Sequence, residues 1–528
     1  MPRPVTIYMI RPLRLARVRA PVLRPVSARL LHQTPKSSRV ATFNEHHRAP
    51  AAEQNFGATA AEVGTESHDT IPIDASTTAA QYPNGERPYP DHVAAQAAAQ
   101  PSAAASPSGI AGAGPQFLQR LSANDLFCFT VLSAMTSKQL LPLAIKMMPY
   151  VPNFLIKRFV YPVYCGGENF DEVVATGDKL FRRGFGNMMI SYSVEDAEGS
   201  SGSGLMDSAV KSILGSVDQV LAKHYDNAVN LYESGAATIT APCSGYVALK
   251  PTGLMSQATD ILRNFDKPAY AEKWQAYLDV CRTICSYAET HGKGKVVIVF
   301  DAEKRDLQGG VYEAQRVMMR EFNRNGNVIV AGTIQMYLQD SLDQLKMDME
   351  LAKRDNYQVA MKLVRGAYLH SEKDRWNTIH TTKENTDKCY NDGITMMLDS
   401  IIDGWRRPGS GPIDGVRPVA GRLIVASHNV DSCLNVDQRI TNEAPLGVDL
   451  EKDESVVFGQ LLGMTEDLGE ELARRGRKVV KYVPWGPTQE TKDYLRRRLE
   501  ENGDAVREGG WTYVKYGLLE AIRRVTRA

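Results

Sequence analysis

The chain is poor in the features that commit a sequence to a metal, a thiol framework or a membrane span. Its 7 cysteines are scattered through 528 residues, at positions 128, 165, 243, 281, 285, 389 and 433. None forms a CxxC pair, and none joins histidines at zinc-finger spacing. No structural zinc site or redox dithiol is therefore expected, and no metal is assigned. An odd, dispersed set reads as reduced thiols in a reducing compartment. No stretch reaches about 18 uninterrupted apolar residues, so no transmembrane helix is expected. The net charge is only +1, which argues against a nucleic-acid partner recruited by bulk charge. GxGxxG after a strand, GxxxxGKS/T, HExxH and GxSxG are all missing. That removes the Rossmann fingerprint, the P-loop, the zincin helix and the nucleophile elbow.

Residues 1–44 lack acid. They carry eight arginines and Lys36, and Glu45 is the first carboxylate. Arginines interleaved with Leu13, Leu15, Val18 and Val22, without a secretory apolar core, read as a mitochondrial transit peptide. Residues 45–115 follow as a disordered low-complexity linker, since the Ala/Pro/Ser/Gly tract 94–114 cannot bury a core. Residues 116–187 are expected as an N-terminal helical arm. Two readings of its apolar and basic part, 117–164, stay open. One is a pair of helices packed on the domain. The other is a membrane-surface contact, with Lys146, Lys157 and Arg158 at lipid head groups.

From residue 188 short apolar runs recur: MMISYSVE (188–195), GYVALK (245–250), VVIVFDAE (296–303), NVIVAGTIQ (327–335), VAMKLVRG (359–366), RLIVASHN (422–429), SVVFGQLLG (455–463) and VVKYVPWG (479–486). Near-continuous apolar runs indicate strands buried on both faces. Helix-length segments lie between most of them, for example 311–323, 340–354 and 386–405. Eight such units predict an α/β fold, a (β/α)8 barrel over 188–510. An open doubly wound sheet is the structural alternative. The stretch 196–240, with EGSSGSG at 198–204 and a helical pattern at 205–233, reads as an insertion after the first strand. Residues 511–528 read as a tail.

In such barrels the chemistry gathers where strands end. Here the ends carry Glu195, Lys250, Asp301 with Glu303, Gln335, Arg365, Ser427–His428–Asn429 and Tyr482. A rim with lysine and arginine suits an anionic ligand or the phosphates of a nucleotide. Beyond the last strand, YVPWGPTQETKDYLRRRLEEN (482–502) turns through Pro-Trp-Gly-Pro into a charged helix, with Thr488 as its expected N-cap. Tyr494, Arg497, Arg498 and Glu501 stand at i, i+3, i+4 and i+7, so they share one face.

The set VALKPTGL, VFDAE, IQMYL, KLVRGAY, TTKENTD, ASHN, GQLLGM and YVPWGP…YLRRRLEEN, in that order, resembles the proline dehydrogenase family. These are the flavoenzymes of mitochondrial and bacterial proline catabolism. The resemblance runs from about Met188 to Asn502, apart from 196–240. It implies a distorted (β/α)8 TIM-like barrel with noncovalent FAD. It also implies oxidation of L-proline to 1-pyrroline-5-carboxylate, a quinone electron acceptor, and a place at the matrix side of the mitochondrial inner membrane.

The resemblance also implies site residues. Arg497 and Arg498 match the pair that holds the substrate carboxylate. Lys250 matches a lysine close to flavin and substrate, and Asp301 orders the basic cluster. Tyr482, Tyr494, Leu461 and Tyr368 match residues that pack the substrate ring. For FAD the matching positions are Ala302, Gln335, Lys362, Val364, Arg365, Gly366, Thr381, Thr382, Lys383, Thr386, Ser427, His428 and Glu501. Two departures stand out. Lys362, near flavin N5, occupies a position where many bacterial relatives have arginine, and so lacks the two-pronged donor. Ser191 occupies a first-strand position that often holds aspartate, while Glu195 remains a candidate ion-pair partner for Arg497 or Arg498. Two competing classes remain at this stage: another flavin barrel with a nicotinamide donor, and a non-catalytic barrel kept for binding.

Overall fold

The computed structural model describes residues 115–137, 139–193, 203–237, 239–366, 372, 374–406, 418–450, 454–507 and 510–527. The expected transit peptide and nearly all of the expected linker lie outside the described residues, as do Glu195 and Tyr368.

Eight parallel strands form the centre: β1 (Asn187–Tyr192), β2 (Gly245–Leu249), β3 (Val296–Phe300), β4 (Val330–Gln335), β5 (Val359–Val364), β6 (Ala420–Ala426), β7 (Val456–Leu461) and β8 (Val479–Trp485). Each pairs with the next, and β8 pairs with β1, so the sheet closes into a barrel. The closing register sets Met189 opposite Tyr482 and Ile190 opposite Val483. Closure excludes the open-sheet alternative. All eight expected strands are present, and every residue of β2 and β3 is buried, because one face meets the barrel interior and the other meets helices.

The two faces separate cleanly. Tyr246, Ala248, Val297, Val299, Ala331 and Ile424 belong to the cluster that fills the barrel interior. Their neighbours in sequence, such as Val247, Ile298, Val330 and Val425, pack in the larger cluster that includes the helices. Strand side chains alternate with period 2. Continuing the inward count sends Lys250, Asp301, Gln335, Lys362, Leu461 and Tyr482 to the interior side at the C-terminal mouth. The same count sends Arg365 and Ser427 to the helical layer.

Parallel neighbours need a crossover, usually a helix. The stretch read as an insertion supplies the first one. Residues 203–233 are helical in three consecutive pieces, and Val217, Val220 and Leu221 join the outer core. Later crossovers include the helices Arg305–Phe322, Ser341–Asp355, Lys383–Arg406 and Val430–Glu443.

The arm is helical as expected but broken. The helix Ala123–Met135 is capped by Ser122, whose side chain accepts from Asp125 N–H. Between it and the helix Phe170–Arg182 come only short pieces, Leu141–Met147, Met148–Tyr150, Asn153–Leu155, Ile156–Val160 and Tyr161–Tyr164. Pro142, Pro149, Pro152 and Pro162 explain this, since each removes a backbone donor and clashes with the preceding turn. The expected tail is a helix, Gly510–Arg527, packed along Ala123–Met135. The approach is close: a Cβ on Gly517 would lie 2.2 Å from Thr130 Oγ1. All seven cysteines are free and buried, as scattered structural thiols should be.

Candidate active site

Three inward side chains from three strands meet at the C-terminal mouth. Asp301 follows β3, Lys362 lies in β5 and Tyr482 in β8. The Lys362 ammonium contacts Asp301 Oδ1, and the Tyr482 hydroxyl donates to Asp301 Oδ2 at 2.9 Å. Lys362 Nζ also lies 5.6 Å from the centre of the Tyr482 ring. One carboxylate therefore orders both a cation and a phenol. Lys250, after β2, places its ammonium 4.8 Å from the Tyr494 ring centre, a contact worth about 0.5–2 kcal/mol. Tyr494 is buried, and it packs in the same cluster as Tyr482.

Tyr494 sits on the helix Thr488–Arg507. Thr488, Thr491, Tyr494 and Leu495 are buried, which identifies the inward face. Helical register continues that face through positions 498 and 501. The side chains of Arg497, Arg498 and Glu501 lie outside the described residues. Thr488 is the first helical residue rather than the cap. Glu168, far earlier in the chain, does the capping: its Oε1 accepts from Thr488 N–H at 3.1 Å and from the Thr488 hydroxyl. Lys157 and Thr488 hold the Glu168 carboxyl below its ordinary range.

A second group lies on the helical side between β5 and β6. The Arg365 guanidinium is 4.2 Å from the Tyr390 ring centre. It donates to Asp387 at 2.6 Å, to Ser427 Oγ at 3.0 Å and to Ser432 Oγ at 3.1 Å. Lys383 contacts the other oxygen of Asp387. The Arg365 fork is thus engaged by protein groups. Thr381, Thr382 and Lys383 stand at the N-terminus of Lys383–Arg406, where unpaired N–H groups favour an anion. Thr382 Oγ1 accepts from Asn385 N–H at 3.2 Å, and the buried Thr386 hydroxyl donates to Thr382 O.

A third group surrounds the end of β4. Gln335 Nε2 donates to Glu303 O at 3.1 Å, next to Ala302. Gln335 Oε1 is buried and without a partner among the described residues, as are Thr333 Oγ1 and His380 Nε2. Val364 ends β5, and Gly366, two residues further on, adopts φ +88°, a conformation that favours glycine.

The fourth feature is His428. Its Nε2 accepts from Leu461 N–H at 3.0 Å. Burial lowers its pKa, Lys481 and Arg365 push the same way, and the value falls to about 3. The ring is thus neutral, with its proton on Nδ1 and its Nε2 lone pair fixing the Leu461 backbone. Behind it, the fully buried Lys481 reaches Glu466 at 3.1 Å and Gln460 Oε1 at 3.1 Å. Burial pushes the Glu466 pKa up, but Lys481 and Arg183 outweigh it and keep the group below the usual carboxylate range.

The structure brings together Asp301, Lys362 and Tyr482, then Lys250 with Tyr494, then Arg365, Lys383 and Ser427, and finally His428 with Leu461. Sequence reasoning passed over Asp387, which links Arg365 to Lys383; its spacing of four from Lys383 on a helix was the available signal. It also passed over His380, Thr333 and Tyr390, for which no local pattern exists.

A closed parallel barrel with titratable side chains converging at the C-terminal mouth defines a (β/α)8-barrel enzyme. The family model for proline dehydrogenase matches residues 173–508, a span that contains the whole barrel. The carbapenem antibiotics biosynthesis protein CarD of Pectobacterium carotovorum subsp. carotovorum is 30% identical over 363 residues, covering 67% of this chain and 82% of that one. Proline dehydrogenase 1, mitochondrial, of Dictyostelium discoideum is 26% identical over 384 residues, covering 66% of this chain and 62% of that protein. This chain thus spans less than two thirds of the Dictyostelium protein. The crystal structure of proline utilization A from Bdellovibrio bacteriovorus, inactivated by N-propargylglycine, overlaps with a TM-score of 0.48 at 19% identity, over 72% of this chain and 37% of that one. That overlap is too loose to carry an argument. The chain belongs to the proline dehydrogenase family and is an oxidoreductase.

Proposed function

We propose that the chain oxidises L-proline to 1-pyrroline-5-carboxylate with FAD and passes the electrons to a membrane quinone, in the mitochondrion. The reading is supported above all by one observation: Asp301 binds Lys362 and Tyr482 together inside the mouth of a barrel of this family. Gln335 Oε1, Thr333 Oγ1 and His380 Nε2, buried and without a partner among the described residues, fit a large polar cofactor. Gln335, Val364, Gly366, Thr381, Thr382, Lys383, His428 and Glu501 would hold it. FAD, when bound, supplies two-electron hydride-accepting chemistry.

The reaction removes a hydride from proline C5 and a proton from the ring nitrogen. This chain's residues bind and orient the substrate. Arg497 and Arg498, with Lys250, take the carboxylate; Tyr482, Tyr494 and Leu461 hold the ring. The cations disfavour a protonated amine, which leaves the nitrogen lone pair free to support hydride loss. Asp301 holds the Lys362 ammonium and the Tyr482 hydroxyl in place. The quinone route gives the apolar and basic arm 117–164 a purpose, as a contact with the matrix side of the inner membrane.

The test is an absorption spectrum of the purified protein before and after anaerobic proline, without nicotinamide. Bleaching of a flavin band is expected. A flavin that bleaches only with a nicotinamide donor would support another flavin barrel, and a colourless protein would support a binding barrel. Either result would overturn the proposal.

A further inference from the structure

Large apolar side chains left in water are unusual when they cluster. Among the described residues 17 are exposed, and they are unevenly placed. Seven lie between Phe127 and Phe154, and five lie on the helix Gly510–Arg527; only five are spread over the rest of the barrel. On the helix they are Trp511, Leu518, Leu519, Ile522 and Val525, with Ile522 at 60% and Val525 at 79% exposure. Spacings of 7, 11 and 14 from Trp511 put Leu518, Ile522 and Val525 on one face. The opposite face is used: Tyr513 meets Phe117 and Phe129, and Gly517 meets Thr130. The stripe is therefore a surplus face, not one needed to hold the helix down.

The two stretches adjoin. The Trp511 indole donates to Gln139 Oε1 at 3.2 Å, beside the exposed Leu140. Between Phe127 and Phe154 the charged residues are both basic, Lys138 and Lys146; Lys157, just beyond them, is paired with Glu168 and Glu172. On the helix the sole acid between Gly510 and Arg527, Glu520, is buried and bound by Arg523 and Arg524. Lys515 is exposed.

We propose that the helix Gly510–Arg527 and the arm between Phe127 and Phe154 form one face that docks on an anionic lipid bilayer, with the helix lying in the head-group plane. A second copy of the chain would set like charges against each other, whereas anionic lipid complements them. Trp511 suits the interface, where an apolar ring with one polar N–H is favoured. None of the helices among the described residues is long and apolar enough to cross a membrane, so the contact is peripheral. The proposal rests on the quinone-linked reading above and deepens it, because it makes the C-terminal helix half of the docking face.

The experiment uses the full chain and vesicles of phosphatidylcholine with or without cardiolipin, in a flotation assay. The variants are Leu518→Glu/Ile522→Glu on the helix, Leu143→Glu on the arm, and Met347→Glu as an exposed control on a crossover helix. Proline-dependent reduction of a soluble dye checks that each variant is folded. The helix variant and the arm variant are each expected to bind cardiolipin vesicles roughly tenfold or more weaker, the effect of one large apolar side chain withheld from lipid. The control is expected to bind as the parent does. If only the arm variant loses binding, the helix proposal falls while the arm reading stands. If neither loses binding, both fall. Equal binding to vesicles without cardiolipin would overturn the anionic choice. A dimer that the helix variant converts to monomer, with vesicle binding kept, would make the face a subunit interface and refute the proposal.

Discussion

Asp301→Asn tests the centre of the site most directly. The side chain keeps its shape and loses its charge. Lys362 is 7% exposed and Asp301 17% exposed, so the ammonium is left in a nearly dry place. Removing one partner of a buried pair costs about 3–5 kcal/mol, and the partial exposure of Asp301 moves the expectation to about 2–4 kcal/mol. Lys362→Met removes the charge that makes Asp301 necessary. In that background Asp301→Asn is expected to cost far less, with a coupling energy of about 1.5–3 kcal/mol. Chemical denaturation of the four proteins of the cycle measures the stability term. The kcat/KM for proline, read with a soluble dye, measures the catalytic one and is expected to fall with Tyr482 misplaced. Additivity within about 0.5 kcal/mol would refute the claim that Asp301 holds Lys362.

Three further outcomes are expected. Arg498→Met raises the proline KM by the equivalent of roughly 2–5 kcal/mol and leaves bound FAD nearly unchanged; steady-state kinetics with flavin content by absorbance checks it, and equal loss of both would remove Arg498 from the substrate clamp. Tyr482→Ser frees space beside the ring and breaks the 2.9 Å bond to Asp301, so kcat/KM for proline falls while the ratio of hydroxyproline to proline rises; an unchanged ratio is evidence against Tyr482 as the residue facing proline C4. His428 has a folded pKa near 3, below its unfolded value of about 6.5. Its contribution to stability is complete above about pH 6.5 and is lost as pH falls toward 3, at up to about 1.4 kcal/mol per pH unit. His428→Gln, which keeps an acceptor for Leu461 N–H, is expected to flatten that part of the stability profile, and an unaltered slope would show that His428 is not the group responsible.

Much of this was legible in the chain. The eight apolar runs gave all eight strands, because residues buried on two faces leave little room for polar ones. Period-2 alternation then carries Lys250, Asp301, Gln335 and Tyr482 to the mouth, counting from the interior cluster. Local chemistry misled where the deciding partner was distant. Thr488 looks like a cap, but Glu168 supplies the carboxylate. Residues 196–240 look like an insertion, yet Val217, Val220 and Leu221 belong to the core. The last 18 residues look like a tail, yet Tyr513 and Gly517 pin a helix to the arm.

The sequence by itself determined the fold class, the family and the positions from which a site could be built, since these depend on burial pattern and motif order along the chain. Only the tertiary structure decided which of those positions touch. Asp301 meets Lys362 and Tyr482 because barrel closure brings β3, β5 and β8 around one mouth. Arg365 turns from the mouth to Asp387 because it falls on the outward parity of β5. The exposed stripe on Gly510–Arg527 is recognisable only once the opposite face of that helix is seen to be occupied. Contacts across such distances depend on closure and packing, which no local window of residues contains.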